Sequence, residues 1–128
     1  MPNSQVRILV VEEDPKTRDQ IEQQILKPLD YQVHTTPTAT EGIAQAIELN
    51  PDVIITNINL SGLSGKDLLV ALSSQGVDAP VILLAEEGME QEAIRAFRLG
   101  AVDYLNLPIK ATELISAVER VLKTEQKP

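Results

Sequence analysis

Short apolar segments alternate with longer amphipathic segments along the whole chain. The apolar segments are typical of β-strands, and they cover residues 6–11, 31–35, 53–56, 81–85 and 104–107. Three of them, VRILVV, DVIITN and PVILLA, are almost continuously aliphatic, which is typical of parallel strands that are covered on both faces. The pattern therefore predicts a parallel sheet with helices packed on both sides.

The amphipathic segments predict five helices. The first begins with Asp14 as its N-cap and Pro15 at its first position, and it should end near Lys27, before Pro28. The others are predicted to start near Thr40, to follow Gly65, and to cover about 89–99 and 111–123. Alternating strands and helices with short loops predict an α/β doubly wound, five-stranded sheet. We expect one domain over residues 1–124, and a polar tail, 125–128, that begins a linker.

Composition and charge exclude several classes of function. The 128 residues carry a net charge of −8 and no cysteine, which disfavours broad electrostatic binding of nucleic acid or membrane and rules out disulfides and thiolate metal sites. Aromatic residues make up only 2% of the chain, so the stacking platforms of single-strand nucleic-acid binding are missing. No apolar run is long enough to span a bilayer and the N-terminus has no signal-peptide core, so we expect a cytoplasmic protein.

Polar side chains follow the predicted strands where the strands end. Glu12, Glu13 and Asp14 follow the first strand, and Asn57 ends the third. These residues should lie close together, because the carboxyl ends of parallel strands meet at one edge of the sheet, where ligands bind. Oxygen-rich groups suit a hard cation such as Mg²⁺. The alternative is that Asp14 only caps the first helix while both glutamates face water.

Four motifs make the chain resemble the receiver domains of two-component response regulators. ILVVEEDP, PDVIITNINLSGLSG, PVILLAEEG and GAVDYLNLPI occur in the order and spacing of that family, and the resemblance covers about residues 6–123. It implies a flavodoxin-like fold with strand order 2-1-3-4-5, which agrees with the predicted doubly wound sheet.

The residues that carry phosphorylation in the family are mostly replaced. The resemblance implies an acidic pair that holds Mg²⁺, and Glu12 and Glu13 stand there. It implies a phosphoacceptor aspartate, a hydroxyl residue after the fourth strand and a lysine before the fifth-strand proline. Asn57, Ala85 and Leu107 stand at those three positions. No catalytic residue is therefore expected.

An amide has no negative charge and its oxygen is a poor nucleophile, so Asn57 should not accept a phosphoryl group. Ala85 and Leu107 offer neither a hydroxyl nor a charge to the phosphoryl oxygens. We expect no cofactor, and weak Mg²⁺ binding or none by Glu12, Glu13 and Asn57. Instead, the two glutamates should hydrogen-bond the Asn57 amide and turn the site into a structural lock.

The leading hypothesis is a receiver-like module of two-component (phosphorelay) signal transduction that binds partner proteins without phosphorylation and is not an enzyme. One alternative keeps phosphorylation on a displaced acid such as Asp14 or one of the glutamates. Another is a flavin- or nucleotide-binding domain on the same fold. The first strand–helix loop, EEDPKT, is acidic and interrupted by proline, which disfavours phosphate binding.

The resemblance implies a partner surface on the fourth helix, fifth strand and fifth helix, used for a signalling protein or an output domain, or for a homodimer. Ile94, Arg95 and Arg98 should point outward there, with Tyr104 and Lys110 at the border. Arginine is enriched at interfaces, although the same arginines would also keep an acidic protein soluble. The inward stripe of the fourth helix is predicted to consist of Ala93, Ala96, Phe97 and Gly100.

Three further positions carry expectations from the resemblance. Tyr104 stands at the aromatic switch position, and because Ala85 leaves a small void, Tyr104 should sit permanently inward. Ser61 replaces a proline that the family has after the third strand. The Leu107–Pro108 peptide bond is expected to be cis.

Overall fold

The computed structural model describes residues 3–125, and a five-stranded parallel sheet runs through its centre. The strand order is β2-β1-β3-β4-β5, and every neighbouring pair is parallel. The flavodoxin-like fold and the strand order that the sequence predicts are therefore confirmed. The strands are β1 Arg7–Val11, β2 Gln32–Thr36, β3 Val53–Asn57, β4 Val81–Ala85 and β5 Asp103–Asn106.

Five helical segments connect and follow these strands, after a short 3-10 turn over Asn3–Gln5. Segment α1 changes its geometry along its length: it is α-helical over Pro15–Asp19, π-helical over Gln20–Leu26, and ends in a 3-10 turn over Lys27–Leu29. The other helices are α2 Ala39–Leu49, α3 Gly65–Ser74, α4 Glu90–Phe97 and α5 Ala111–Glu125.

Several element boundaries differ from the sequence prediction by one or two residues, and two helices extend past their predicted ends. The first helix does not stop before Pro28, because that proline lies within the first two positions of the closing 3-10 turn, where its missing N–H costs no hydrogen bond. Helix α5 extends to Glu125, past the predicted end at residue 123. Residues 126–128 of the predicted linker lie outside the described residues.

The sheet separates two apolar layers. Side chains alternate along each strand, so Ile8 and Val10 of β1 pack with α1 and α5, whereas Leu9 and Val11 pack with α2, α3 and α4. The aliphatic strands of the sequence are thus buried on both faces, as their continuous apolar character predicts. No helix within residues 3–125 is both long enough and apolar enough to cross a bilayer.

Candidate functional site

The site lies at the carboxyl edge of the sheet, between two neighbouring strands. Strand β1 ends at Val11, which is in register with Thr56 of β3, so the next residue of each strand, Glu12 and Asn57, reaches the same edge. The backbone N–H of Glu12 donates to the Thr36 carbonyl at 3.0 Å, which extends the β1–β2 pairing into the loop. The parallel order of β1 and β3 therefore decides which polar side chains meet.

A hydrogen bond between two buried side chains forms the centre of the site. Asn57 Nδ2 donates to Glu12 Oε1 at 2.9 Å, and the two residues are 8% and 2% exposed. Glu12 Oε2 accepts the backbone N–H of Asp14 at 3.0 Å, and Asn57 Oδ1 accepts that of Asn59 at 2.8 Å. We call these four groups the Asn57 lock. These hydrogen bonds fix the orientation of the Asn57 amide. In the reversed orientation, its oxygen would face Glu12 Oε1 and its nitrogen would face the Asn59 N–H, so neither contact could be a hydrogen bond.

The second glutamate does not bind the Asn57 amide, so that part of the predicted lock is wrong. Glu13 is exposed, and its Oε2 accepts the backbone N–H of Ser61 at 3.1 Å. A proline at position 61 would have no N–H to donate. The replacement of the family's proline by Ser61 thus supplies the donor that ties the β1–α1 loop to the β3–α3 loop.

The third acid of the cluster caps a helix. Asp14 Oδ2 accepts the Thr17 backbone N–H at 3.2 Å and the Thr17 hydroxyl at 2.7 Å, which confirms Asp14 as the N-cap of α1. These hydrogen bonds, chiefly the one from the Thr17 hydroxyl, lower the pKa of the exposed Asp14 carboxyl. Asp14 is therefore an ionised capping group at the edge of the site.

Arg18 is a site residue that the sequence analysis missed. Its Nη1 donates to the backbone carbonyl of Glu12 at 2.8 Å and to that of Glu13 at 3.3 Å. The guanidinium thus holds the backbone of the acidic loop from the first turns of α1. Its position four residues after Asp14, one helical turn along α1, was the available signal.

Gly65 is a second residue whose importance the sequence did not reveal. Its N–H donates to the Ile58 carbonyl at 2.8 Å, directly beyond the Asn57 lock. A Cβ at this position would lie 2.6 Å from Ile58 Cα and 3.1 Å from the Asn57 carbonyl oxygen. Only glycine lets α3 begin this close to the backbone that carries Asn57.

The resemblance assigns a hydroxyl residue and a lysine to positions 85 and 107, and both positions hold aliphatic side chains. Ala85 is buried in the α2–α3–α4 layer. Leu107 packs, partly buried, against the α1–α5 layer, and its N–H donates to the Ala85 carbonyl at 2.9 Å. The Leu107–Pro108 bond is cis, as expected.

Tyr104 is only half-buried, so the structure does not place it fully inward as the sequence analysis expects. Its ring packs edge-on against Phe97, with ring centroids 6.0 Å apart and planes at 73°. Phe97 itself is 40% exposed, and Gly100 is exposed too, which overturns their place in the inward stripe of α4. Helix α4 ends at Phe97, and the following turn no longer faces the sheet.

The other α4 positions lie as predicted. Ala93 and Ala96 are buried. Ile94 is 47% exposed, and Arg95, Arg98 and Lys110 are also exposed. We call the surface of Ile94, Arg95, Phe97, Arg98, Tyr104 and Lys110 the α4–β5 face. It therefore combines exposed apolar side chains with positive charge.

The geometry does not suit the Mg²⁺ ion that the resemblance implies. Within residues 3–124, no three acidic, histidine or cysteine side chains come together as a metal site. The Asn57 amide nitrogen points at Glu12 Oε1, so a donor stands where a cation shared by Glu12, Glu13 and Asn57 would need an oxygen. His34 is half-buried on β2 and has no second histidine near it, since the chain contains only one.

A cleft of about 580 Å³ opens beside the lock. Helix segment α1 forms one wall and the loops after β4 and β5 form the other. We call it the acidic cleft, because Glu86 and Glu87 are its only charged lining residues. The lining consists of Thr17, Gln20, Glu86, Glu87, Leu107, Pro108 and Ile109.

Comparison with known proteins places this architecture in one family. The model of the response regulator receiver domain matches residues 8–119. The nitrate/nitrite response regulator protein homolog of Haemophilus influenzae is 30% identical over 121 residues, which cover 94% of this chain and 58% of that protein. The cell cycle transcriptional regulator CtrA of Caulobacter vibrioides is 29% identical, over 92% of this chain and 51% of CtrA.

Solved structures agree with these relatives. A response regulator receiver domain protein from Clostridium thermocellum superposes with a TM-score of 0.87 at 29% identity, covering 94% of this chain and 97% of that one. NtrX from Brucella abortus gives a TM-score of 0.86 at 32% identity, over 92% of this chain and 27% of NtrX. The chain spans about half the length of the two relatives described above. Together with the family match over most of the chain, these similarities show that the protein belongs to the receiver domain family of response regulators.

Proposed function

We propose that this receiver domain acts in signal transduction without phosphorylation of its own site, as a non-enzymatic module that binds partner proteins. The observation that carries the proposal is the Asn57 lock, in which the residue at the acceptor position donates a hydrogen bond to the buried carboxylate of Glu12. A working acceptor would present a nucleophilic oxygen to phosphate, whereas Asn57 Oδ1 already accepts the Asn59 N–H.

The surroundings of Asn57 supply little of what phosphoryl transfer requires. Stabilisation of the transferring group depends on cations and donors aimed at its equatorial oxygens. Ala85 has no hydroxyl, and Leu107 is a partly buried aliphatic side chain that packs against the α1–α5 layer and carries no charge. Among the side chains of residues 3–124, no group of three metal-ligating residues comes together near Asn57 either.

The lock also weighs against the two alternatives. Asp14, the candidate displaced acceptor, is held by both the N–H and the hydroxyl of Thr17 and lies outside the Glu12–Asn57 pair. A nucleotide or flavin phosphate would need free backbone amides in the β1–α1 loop. The amides of Asp14 and Thr17 already donate to carboxylates, and the loop carries three acids.

Intact-mass measurement after incubation with a small acyl-phosphate donor and Mg²⁺ tests this proposal. We expect no phosphoryl adduct on the natural chain. An Asn57→Asp variant and an Asn59→Asp variant run in parallel show whether an acid at the acceptor position alone restores reactivity. An adduct on the natural chain, mapped by fragmentation to Asp14, Glu12 or Glu13, would overturn the proposal and establish the displaced acceptor.

We further propose that partners bind the α4–β5 face. Ile94 and Phe97 are 47% and 40% exposed. The exposed Arg95 lies on the same helix, and the exposed Arg98 directly follows the end of that helix. Apolar and arginine side chains together are enriched in protein interfaces. A homodimer through this face stays a prediction, as does the cytoplasmic location.

The Ile94→Asp variant tests this surface, with Ile47→Asp as its matched control, because Ile47 is 53% exposed on α2, away from the face. Both substitutions replace an exposed isoleucine by a charge, so the free energy of unfolding should change similarly and by about 0.5 kcal/mol or less. Proteins that co-purify with the natural chain and with Ile47→Asp should be lost with Ile94→Asp. Equal retention by both variants would exclude the α4–β5 face.

A further inference from the structure

We propose that the acidic cleft receives a basic side chain, lysine or arginine, of a partner protein. This inference goes beyond the proposed function, because the residues that line the cleft belong neither to the lock nor to the α4–β5 face. It starts from the shape of the site. At about 580 Å³, the cleft falls in the volume range of ligand-binding pockets, and it opens between α1 and the loops that follow β4 and β5.

The charge of the cleft is one-sided. Glu86 and Glu87 stand at the end of β4 and are both exposed. The lining contains no lysine or arginine, and within residues 3–124 neither carboxylate takes part in an ion pair. Leu107 occupies the position at which the resemblance implies a lysine, so the chain offers no cation of its own from that position.

The floor of the cleft is apolar. Leu107, Pro108 and Ile109 run along it in sequence, and the cis bond between Leu107 and Pro108 turns the chain there. The polar side chains of Thr17 and Gln20 line the α1 wall. An occupant must therefore satisfy two negative charges at the lip and cover an aliphatic surface below them.

A lysine or arginine side chain meets both requirements, because its aliphatic stem can lie on apolar surface while its charged end stays near water and carboxylates. Phosphate-containing ligands would be repelled by Glu86 and Glu87. A purely apolar side chain would cover the floor but would leave both carboxylates partly desolvated without a partner. The chemistry of the lining thus selects a basic side chain.

The test compares a positively charged peptide with an uncharged one, because Glu86 and Glu87 should bind only the charged one. The probe is a blocked pentapeptide, Gly-Gly-Lys-Gly-Gly, and its control has norleucine in place of lysine, with the same stem and no charge. Titration into the full ¹⁵N-labelled chain at millimolar concentrations should shift the amide signals of cleft residues such as Gln20, Gly88 and Ile109. The norleucine peptide should leave those signals in place.

The matched variants separate the cleft from general attraction to an acidic protein. Glu86→Gln/Glu87→Gln should weaken lysine-peptide binding about fivefold, as expected for two solvent-accessible ion pairs. Glu48→Gln/Glu119→Gln removes two charges from exposed residues elsewhere and should change the affinity much less. The proposal would be overturned if the lysine peptide caused no signal changes or caused changes spread over the acidic surface. It would also be overturned if both double variants weakened binding equally, or if the norleucine peptide caused the same changes. None of these outcomes bears on phosphorylation of the lock.

Discussion

At the carboxyl end of the sheet, Glu12 and Asn57 are almost fully buried, and their side chains are hydrogen-bonded within the protein. On α4, by contrast, Ile94 and Phe97 are 47% and 40% exposed to solvent. Within residues 3–124, no buried side-chain nitrogen or oxygen lacks a hydrogen-bond partner. In this receiver, internal hydrogen bonds therefore close the carboxyl ends of β1 and β3, whereas helix α4 leaves apolar side chains exposed.

The physical reason lies in what each region contributes to stability. A buried carboxylate is costly unless it is hydrogen-bonded, so the lock must keep all its members together. Exposed side chains on a surface helix contribute little, and their replacement changes stability only slightly. Substitutions in the lock should therefore lower the free energy of unfolding, whereas substitutions on the α4–β5 face should weaken association with partner proteins.

The largest effect is expected at the backbone that supports the lock. Gly65→Ala should lower the free energy of unfolding by about 1–3 kcal/mol, because the new Cβ would lie 2.6 Å from the Cα of Ile58. Urea denaturation measures this change. Gly42→Ala is the control: its Cβ would meet Val11 Cγ2, a side-chain atom, at 2.8 Å, and displacing a side chain should cost less than displacing the backbone of Ile58, so the loss should be smaller. Equal losses would show that Gly65 does not have the special role assigned to it.

The second effect concerns the charge balance of the lock. Asn57→Asp sets a carboxylate against Glu12 Oε1, where the amide now donates at 2.9 Å, and should lower the free energy of unfolding by about 1–3 kcal/mol at pH 7. One of the two carboxyls would then have a raised pKa in the folded state. Its protonated form is favoured by folding, so stability relative to the natural chain should recover as the pH falls and worsen as it rises.

Urea denaturation at pH 7 and at a mildly acidic pH measures this dependence. Asn59→Asp is the control, since residue 59 is exposed and the same change of charge there should alter stability by about 0.5 kcal/mol or less. A loss for Asn57→Asp that did not depend on pH would contradict repulsion between carboxylates as its cause.

The third effect compares two arginines, one in each region. Arg18→Ala removes the hydrogen bonds to the carbonyls of Glu12 and Glu13 and should lower the free energy of unfolding by about 1 kcal/mol. Arg98→Ala removes an exposed side chain of the α4–β5 face and should lower it by about 0.5 kcal/mol or less. Thermal or urea unfolding of both variants decides the point, and a larger loss for Arg98 would reverse the comparison.

The smallest effect is a change of pKa at the edge of the lock. Thr17→Val keeps the backbone N–H but removes the hydroxyl that is the main cause of the lowered pKa of Asp14. That pKa should rise toward its ordinary value, which titration of the carboxyl carbon by NMR detects. Because folding lowers this pKa, its contribution to stability is present above the ordinary pKa and lost as the pH falls through the folded value. In the Thr17→Val variant, less stability should therefore be lost as the pH falls.

Sequence periodicity was sufficient for the fold and insufficient for details that depend on the backbone. The aliphatic strands and the Asp14-Pro15 start of α1 were readable, because burial on two faces and helix capping leave local signals. The change to π-helical geometry over Gln20–Leu26 left no such signal. Gly100 was misplaced because an ideal helical repeat was carried past Phe97, where α4 ends.

The residues that form the site could also be predicted only in part from the sequence. Glu12 and Asn57 were expected together because parallel strands end at one edge, and they do meet. Glu13 was assigned to the wrong partner, since its choice between the Asn57 amide and the Ser61 N–H depends on the path of the β3–α3 loop. Arg18 and Gly65 support the site through contacts with its backbone, and such contacts cannot be predicted from residue type alone.

By itself, the sequence predicted a five-stranded α/β sheet from its hydrophobic periodicity, and its motifs resembled those of receiver domains, with the amide Asn57 at the end of the third strand. Periodicity and motifs are local properties of the chain, so the sequence carries them. Only the tertiary structure decided that the Asn57 amide donates to Glu12, that Glu13 accepts from Ser61, and that Leu107 packs against the α1–α5 layer. Those outcomes depend on which groups from distant segments come within hydrogen-bonding or packing distance once the sheet has formed.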